Sequence, residues 1–275
     1  MLDILKKNNF QFNKKFGQNF IFDLNLLSAI VNDAGVDGAT NVLEIGPGAG
    51  TLTSKLCEKA KKVVSYEIDT NLEPILAENL KDYTNSEIVF GDILKQKIED
   101  IESKFDGEYI MVANLPYYIT TPIIFKFLEE AKKLKSITIM VQKEVAERIC
   151  AKHNTEDYGA ITAQINAVAT SKITRIVKRN MFKPAPNVDS AVVRIDFDYD
   201  KYGIDNLAIY KKVVTAAFAM RRKTLANNLK SYFSLDMQKV QDILAECSLK
   251  ADVRGEALSI SQFVCLSNVL NKYLK

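Results

Sequence analysis

The chain has 275 residues, 47% of them hydrophobic, and carries 37 basic against 34 acidic side chains for a net charge of +3. That is enough apolar material for one large α/β domain with a small appendage, and no apolar run reaches the length of a membrane span or a secretory leader. Four scattered cysteines (Cys57, Cys150, Cys247, Cys265) and a single histidine, His153, in a polar stretch argue against a disulfide framework, a metal cluster and a histidine-dependent triad. The expectation is a soluble, cytoplasmic, metal-free monomer.

The charges are segregated. Acids cluster from Glu99 to Glu108, whereas Ile4–Phe22, Ser171–Lys183 and Lys211–Lys230 carry basic residues and no acids. A nearly neutral chain arranged this way can present a strongly positive face, and a phosphate backbone responds to the local field.

The opening stretch Lys14-Lys15-Phe16-Gly17-Gln18-Asn19-Phe20-Ile21 sets aromatics beside a lysine pair. It reads equally as a surface arm or as a lid over a ligand. Asp23 is placed to cap a helix that closes at Gly35. Asn41 to Thr53 then reads as strand, tight glycine loop and helix, with glycines at 46, 48 and 50. Glycines tolerate positive φ and let backbone N–H groups approach a ligand without a Cβ in the way. The dinucleotide fingerprint wants a small residue where this chain has the β-branched Thr51, which disfavours hydride transfer. Glu44, an acid on the strand just before the loop, suits a cationic ligand such as a sulfonium. The pattern Glu-x-Gly-x-Gly-x-Gly resembles the first motif of S-adenosylmethionine-dependent methyltransferases.

Lys62–Glu67 forms a second apolar strand whose terminal acid is placed to accept hydrogen bonds from ribose hydroxyls. Asp69 competes for that role. Glu87–Phe90 is a third strand, ending in Gly91-Asp92-Ile93, where Asp92 can accept from an adenine amine while Ile93 packs on the ring. Tyr109–Ala113 leads into Asn114-Leu115-Pro116-Tyr117. Pro116 biases Leu115 to an extended backbone, so its carbonyl and the Asn114 side-chain oxygen become two acceptors side by side. Such a pair can hold both N–H groups of a planar amine, and Tyr117 offers a flat face for an extruded base.

The spacing predicts a helix over 122–133, a strand over 135–142 and helices around the His153 loop. Strands at Ser171–Val177 and Val188–Phe197 follow, joined by Met181-Phe182-Lys183-Pro184-Ala185-Pro186-Asn187. Two prolines stiffen that loop, and Phe182 on it reads either as an exposed second stacking surface opposite Tyr117 or, as a bare aromatic more often is, as part of the core. Beyond about residue 200 only helical periods remain, at 207–220, 224–233, 236–247 and 260–273. A domain boundary is therefore expected there, dividing a domain over 1–200 from a helical one over 201–275. Arg221-Arg222-Lys223-Thr224-Leu225 reads as a phosphate-binding helix start.

With these motifs in this order, the chain resembles the rRNA adenine N6-dimethyltransferases from about Lys14 to beyond Arg254. The arginine-rich turn and the Phe-x-Pro-x-Pro-x-Val-x-Ser run are similar to the small-subunit branch, whose loss gives kasugamycin resistance. The resemblance implies a Rossmann-like methyltransferase fold, a seven-stranded, mostly parallel sheet, followed by a small all-helical domain. It implies S-adenosylmethionine as methyl donor, with contacts at Asn19, Ile21, Gly46, Glu67, Asp92 and Asn114, and catalysis at Asn114, Leu115, Tyr117 and Phe182. The substrate it implies is two adjacent adenosines near the 3′ end of 16S rRNA, within the 30S subunit or its precursor, gripped in part by Lys14, Lys15, Arg221, Arg222 and Lys223. Tyr118 departs from the asparagine of many relatives, Ile21 from the usual leucine, and Ala226 from a frequent arginine.

Overall fold

The computed structural model describes residues 19–220 and 222–274, so Lys14, Lys15 and Arg221 lie outside the described residues. The chain divides into two compact units, one made of residues up to Ala146 with Lys172–Asp196, the other of Glu147–Ser171 with Phe197 onward.

The first unit is built on a sheet of seven strands in the order β4-β3-β2-β5-β6-β9-β7. In chain order these are β2 (Asn41–Ile45), β3 (Lys62–Glu67), β4 (Ser86–Phe90), β5 (Tyr109–Asn114), β6 (Leu134–Gln142), β7 (Ala169–Val177) and β9 (Ser190–Phe197). Strands β2 to β6 pair in parallel and β9 runs antiparallel to β6. The expected Rossmann-like, mostly parallel sheet is what the chain forms. Central strands covered on both faces are mostly apolar; all five residues of β2 are buried, its polar Asn41 and Glu44 included.

Strand order reverses at β2, with β3 and β4 to one side and β5 and β6 to the other. In open sheets of this kind the crevice for a ligand opens beyond the carboxyl ends of the strands at that switch. Helix α1 (Leu24–Asp33) is capped as expected, the Asp23 carboxylate accepting from the Leu26 N–H at 2.9 Å.

One pairing was not foreseen. Strand β1 (Phe20–Ile21) and strand β8 (Phe182–Lys183) form a two-stranded antiparallel ribbon, with Ile21 opposite Phe182. Elements of two residues carry no periodicity from which to read them.

The second unit is helical, with α8 (Leu207–Phe218), α9 (Leu225–Phe233), α10 (Met237–Glu246) and α11 (Ile260–Tyr273). Asn206, Thr224, Asp236 and Ser259 cap their first turns with side-chain oxygens. Residues 147–171 also belong to this unit, a correction to the division at residue 200. Two buried phenols tie that segment in: Tyr158 donates to the Leu258 carbonyl and Tyr210 to the Ala163 carbonyl, each at 2.9 Å. These partners are about 50 to 100 residues apart, beyond the reach of any local pattern. Among the described residues no helix is long and apolar enough to cross a membrane.

Candidate active site

A groove of about 230 Å³ opens at the carboxyl ends of β2 to β5. Its floor is the glycine loop after β2, where Gly46, Gly48 and Gly50 have φ of +71°, +58° and +80°, values that a side chain would strain. A Cβ on Gly46 would meet nothing within 4 Å, so bare backbone faces the groove there. Gly48 is closed on its outer side by the Phe20 ring, which a Cβ would strike at 2.3 Å.

Three acceptors ring this floor. Glu67, at the end of β3, is buried, and its two oxygens take the backbone N–H groups of Gly48 (3.1 Å) and Asp69 (2.9 Å). Burial raises its pKa, and those N–H groups oppose the rise. Asp69, the competitor, instead caps the next turn through Asn71. Asp92, after β4, caps its own turn by accepting from the Leu94 N–H at 3.0 Å and lines the groove with Ile93. Asn114, at the end of β5, donates its Nδ2 to the Asn19 carbonyl at 2.9 Å. With that nitrogen committed, its Oδ1 is the atom left to accept on the groove.

Leu115 and Pro116 continue the wall, Pro116 with φ −56° and ψ 131°, so the chain leaves β5 extended. Tyr117 is half-buried and shares a 2.7 Å hydrogen bond with the Ser190 hydroxyl, and burial raises its pKa. The ring is thus held as a neutral phenol. Beside it Tyr118 is 61% exposed at the groove.

Asn19, Gly46, Glu67, Asp92, Asn114, Leu115 and Tyr117 are therefore gathered around one groove from elements far apart in the chain. Phe182 is not among them. It is 2% exposed and packs with Ile21, Leu27 and Val177, because the ribbon with β1 turns its ring inward. Of the two readings of Phe182, exposed stacking ring or core residue, that pairing selects the core. The Ile21 side chain is likewise 2% exposed in the same cluster and does not line the groove. Phe20, Tyr66, Ile68 and Tyr118 do line it and were not anticipated as contacts; only Phe20, next to Asn19, had a sequence signal.

Glu44 also departs from expectation. It is 1% exposed and absent from the groove lining, since the pleat aims it at Ser65, its partner on β3, whose hydroxyl donates at 2.8 Å. Its Oε1 is buried with no hydrogen-bond partner. Burial pushes its pKa from the ordinary 4.5 to about 7. Between those pH values the folded protein holds a proton that the unfolded chain has lost. The stabilisation from this group is therefore complete below pH 4.5 and declines as pH rises to about 7, by about 3 kcal/mol. Glu44→Gln should remove this decline, which urea unfolding at pH 5 and pH 8 measures. A variant whose stability falls between them as steeply as the parent's would contradict the assignment.

In the second unit Arg222 and Lys223 are exposed immediately before the N-terminus of α9, where Thr224 caps the first turn. In that turn the Leu225 N–H is taken by the Val253 carbonyl and the Asn227 N–H by the Thr224 hydroxyl, so what suits anions there is the pair of exposed cations and not a free helix N-terminus.

The sequence profile of the ribosomal RNA adenine dimethylases matches residues 9–272. The chain belongs to the ribosomal RNA adenine dimethylase family. Its chemistry is accordingly S-adenosylmethionine-dependent dimethylation of adenine in ribosomal RNA. Among relatives, the "Ribosomal RNA small subunit methyltransferase A" of Clostridioides difficile is 44% identical over 98% of this chain and 94% of its own length. The protein of the same name from Streptococcus gordonii is 43% identical over 97% and 94%. Among solved structures, a dimethyladenosine transferase from Plasmodium falciparum aligns with a TM-score of 0.81 at 26% identity, covering 92% of this chain and 98% of that one. The 23S rRNA methyltransferase ErmE aligns at 0.70 and 28%, covering 92% and 100%.

The groove fits an adenosyl sulfonium on its own features. The bare backbone at Gly46 admits close approach, Glu67 sets a buried carboxylate beside it, and Asp92 with Ile93 offers an acceptor beside an apolar wall.

Proposed function

We propose that this protein dimethylates N6 of two adjacent adenosines in the hairpin loop near the 3′ end of 16S rRNA, acting in the cytoplasm as a monomer on the 30S subunit or its precursor. The observation that carries the chemistry is Asn114, whose amide is locked by the Asn19 carbonyl so that its oxygen remains an acceptor on the groove.

S-adenosylmethionine, when bound, supplies an electrophilic methyl group on its sulfonium. This chain's residues supply position. Asn19, Gly46, Glu67, Asp92 and Asn114 hold the donor. The Asn114 oxygen and the Leu115 carbonyl accept the two N–H groups of the target adenine. An amine conjugated to a ring is a poor nucleophile, and holding both hydrogens out of the ring plane frees its lone pair toward the donor. Tyr117 carries the extruded base on its ring, with its hydroxyl anchored on Ser190; stacking of this kind is worth about 1–3 kcal/mol. With Phe182 buried, Tyr118 provides the exposed flat surface at the mouth. No general base is assigned, because a methylated aromatic ammonium is acidic enough to lose its proton to water. Lys14, Lys15, Arg221, Arg222 and Lys223 hold phosphates.

The small-subunit target is favoured over the large-subunit one of ErmE by the 43–44% identity to the small-subunit enzymes, against 28%. The test is to incubate the protein and labelled donor with undermethylated 30S subunits, naked 16S rRNA and 50S subunits, then map the modified nucleotides. Two adjacent dimethyladenosines in 16S rRNA are expected. A monomethylated or dimethylated adenosine in 23S rRNA alone would transfer the protein to the other branch.

Glu67→Gln supplies a second test. The amide keeps the size but leaves one oxygen for two backbone N–H groups and the ribose, so donor affinity should fall about tenfold or more. Titration calorimetry with S-adenosylhomocysteine reads it, and an unchanged Kd would remove Glu67 from the binding set.

A further inference from the structure

Four cysteines are present and the reaction above uses none of them. Cys57 is buried in the core of the first unit, while Cys150, Cys247 and Cys265 are half-buried. Cys247 follows the last turn of α10, and Cys265 lies within α11. Their sulfurs are 2.7 Å apart. Two further contacts hold the same pair of helices together: Lys272 on α11 reaches Glu246 on α10 at 3.5 Å, and Lys239 of α10 stands 5.5 Å over the Tyr273 ring. The facing of the sulfurs is therefore built into the packing of the two helices and does not depend on a chance meeting of loops.

We propose that Cys247 and Cys265 are a dithiol site that a peroxide converts to a disulfide, stapling α10 to α11 within the helical unit. One cysteine, as thiolate, attacks a peroxide oxygen; the O–O bond breaks and leaves a sulfenic acid with release of an alcohol or water. The second sulfur attacks the sulfenic sulfur, water departs, and the S–S bond forms. In sum, two thiols and one peroxide give a disulfide, an alcohol (water from hydrogen peroxide) and water. A thiol reductant reverses it by exchange. Burial, and after it the neighbouring Cys265, hold the Cys247 thiol high, so the resting pair is two thiols. The residues are 18 apart in sequence, so the bond closes a short loop and restricts the unfolded chain.

The test uses the full chain, reduced and then treated with dilute hydrogen peroxide, followed by alkylation, intact mass measurement and peptide mapping. The expected result is loss of two hydrogens, a cross-linked peptide containing Cys247 and Cys265, two thiols still open to alkylation after unfolding, and full reversal by dithiothreitol. The oxidised form should melt about 5 °C above the reduced one. Cys247→Ser and Cys265→Ser should each show neither cross-link nor melting shift, and should gain oxygen on the remaining cysteine instead. Oxygen addition in the parent without a cross-link, a bridge to Cys57 or Cys150, or a cross-link that leaves the melting temperature unchanged would each overturn the proposal.

Discussion

Asn114→Ala is expected to lower kcat for adenine methylation by about a hundred- to a thousand-fold, the loss typical of removing one preorganised partner of the reacting group. The side chain has two ends with separate duties. Its nitrogen holds the Asn19 carbonyl at 2.9 Å and its oxygen is left to accept on the groove. Alanine removes both, but the consequences fall on different constants. Loss of the Asn19 contact loosens the segment before β1 by about 1 kcal/mol, and donor affinity should weaken about fivefold. Loss of the acceptor leaves the adenine amine with the Leu115 carbonyl alone, and that appears in turnover. Single-turnover methylation of RNA, paired with calorimetry of S-adenosylhomocysteine, separates the two. Turnover within tenfold of the parent's would mean that the paired acceptors do not grip the amine.

The second large effect is expected at Gly48. Gly48→Ala places a Cβ at 2.3 Å from one carbon of the Phe20 ring and 2.9 Å from another, at a φ of +58°. The ring is 6% exposed and packed among Leu72, Ile75 and Leu76, so it has little room to retreat. Either Phe20 or the loop must move, and the loop carries the Gly48 N–H that Glu67 accepts. Donor affinity should fall at least a hundredfold, with a stability loss of about 2 kcal/mol from strain and overpacking. A second change tells the two causes apart. Phe20→Ala in the Gly48→Ala background relieves the collision and leaves the left-handed backbone, so it should restore part of the affinity. If the double variant binds no better than Gly48→Ala alone, the ring is not what the extra methyl meets.

Both predictions concern residues named by short motifs, and the reason those motifs could be read is that each is local. A glycine loop between an apolar strand and a helix declares itself within a dozen residues. So does an asparagine that ends a strand before Leu-Pro-Tyr, or a helix whose capping residue is Asp23. The parallel sheet followed too, because strands buried on both faces read as mostly apolar runs between helical stretches.

What failed to show in the sequence depends on partners distant along the chain. Phe182 could be read as exposed or as core from its neighbours, and only the pairing of two-residue strands about 160 positions apart sets it in the core beside Ile21. Glu44 sits in the methyltransferase-like motif as if aimed at the ligand, yet the pleat points it at Ser65. Residues 147–171 joined the helical unit through phenol-to-carbonyl bonds that no spacing announces. The amino-acid order by itself determined the longer elements, the glycine cradle and the acceptor at Asn114. Tertiary structure alone decided which way each side chain faces, since a strand offers two faces and the one that is buried is chosen by whatever packs against it.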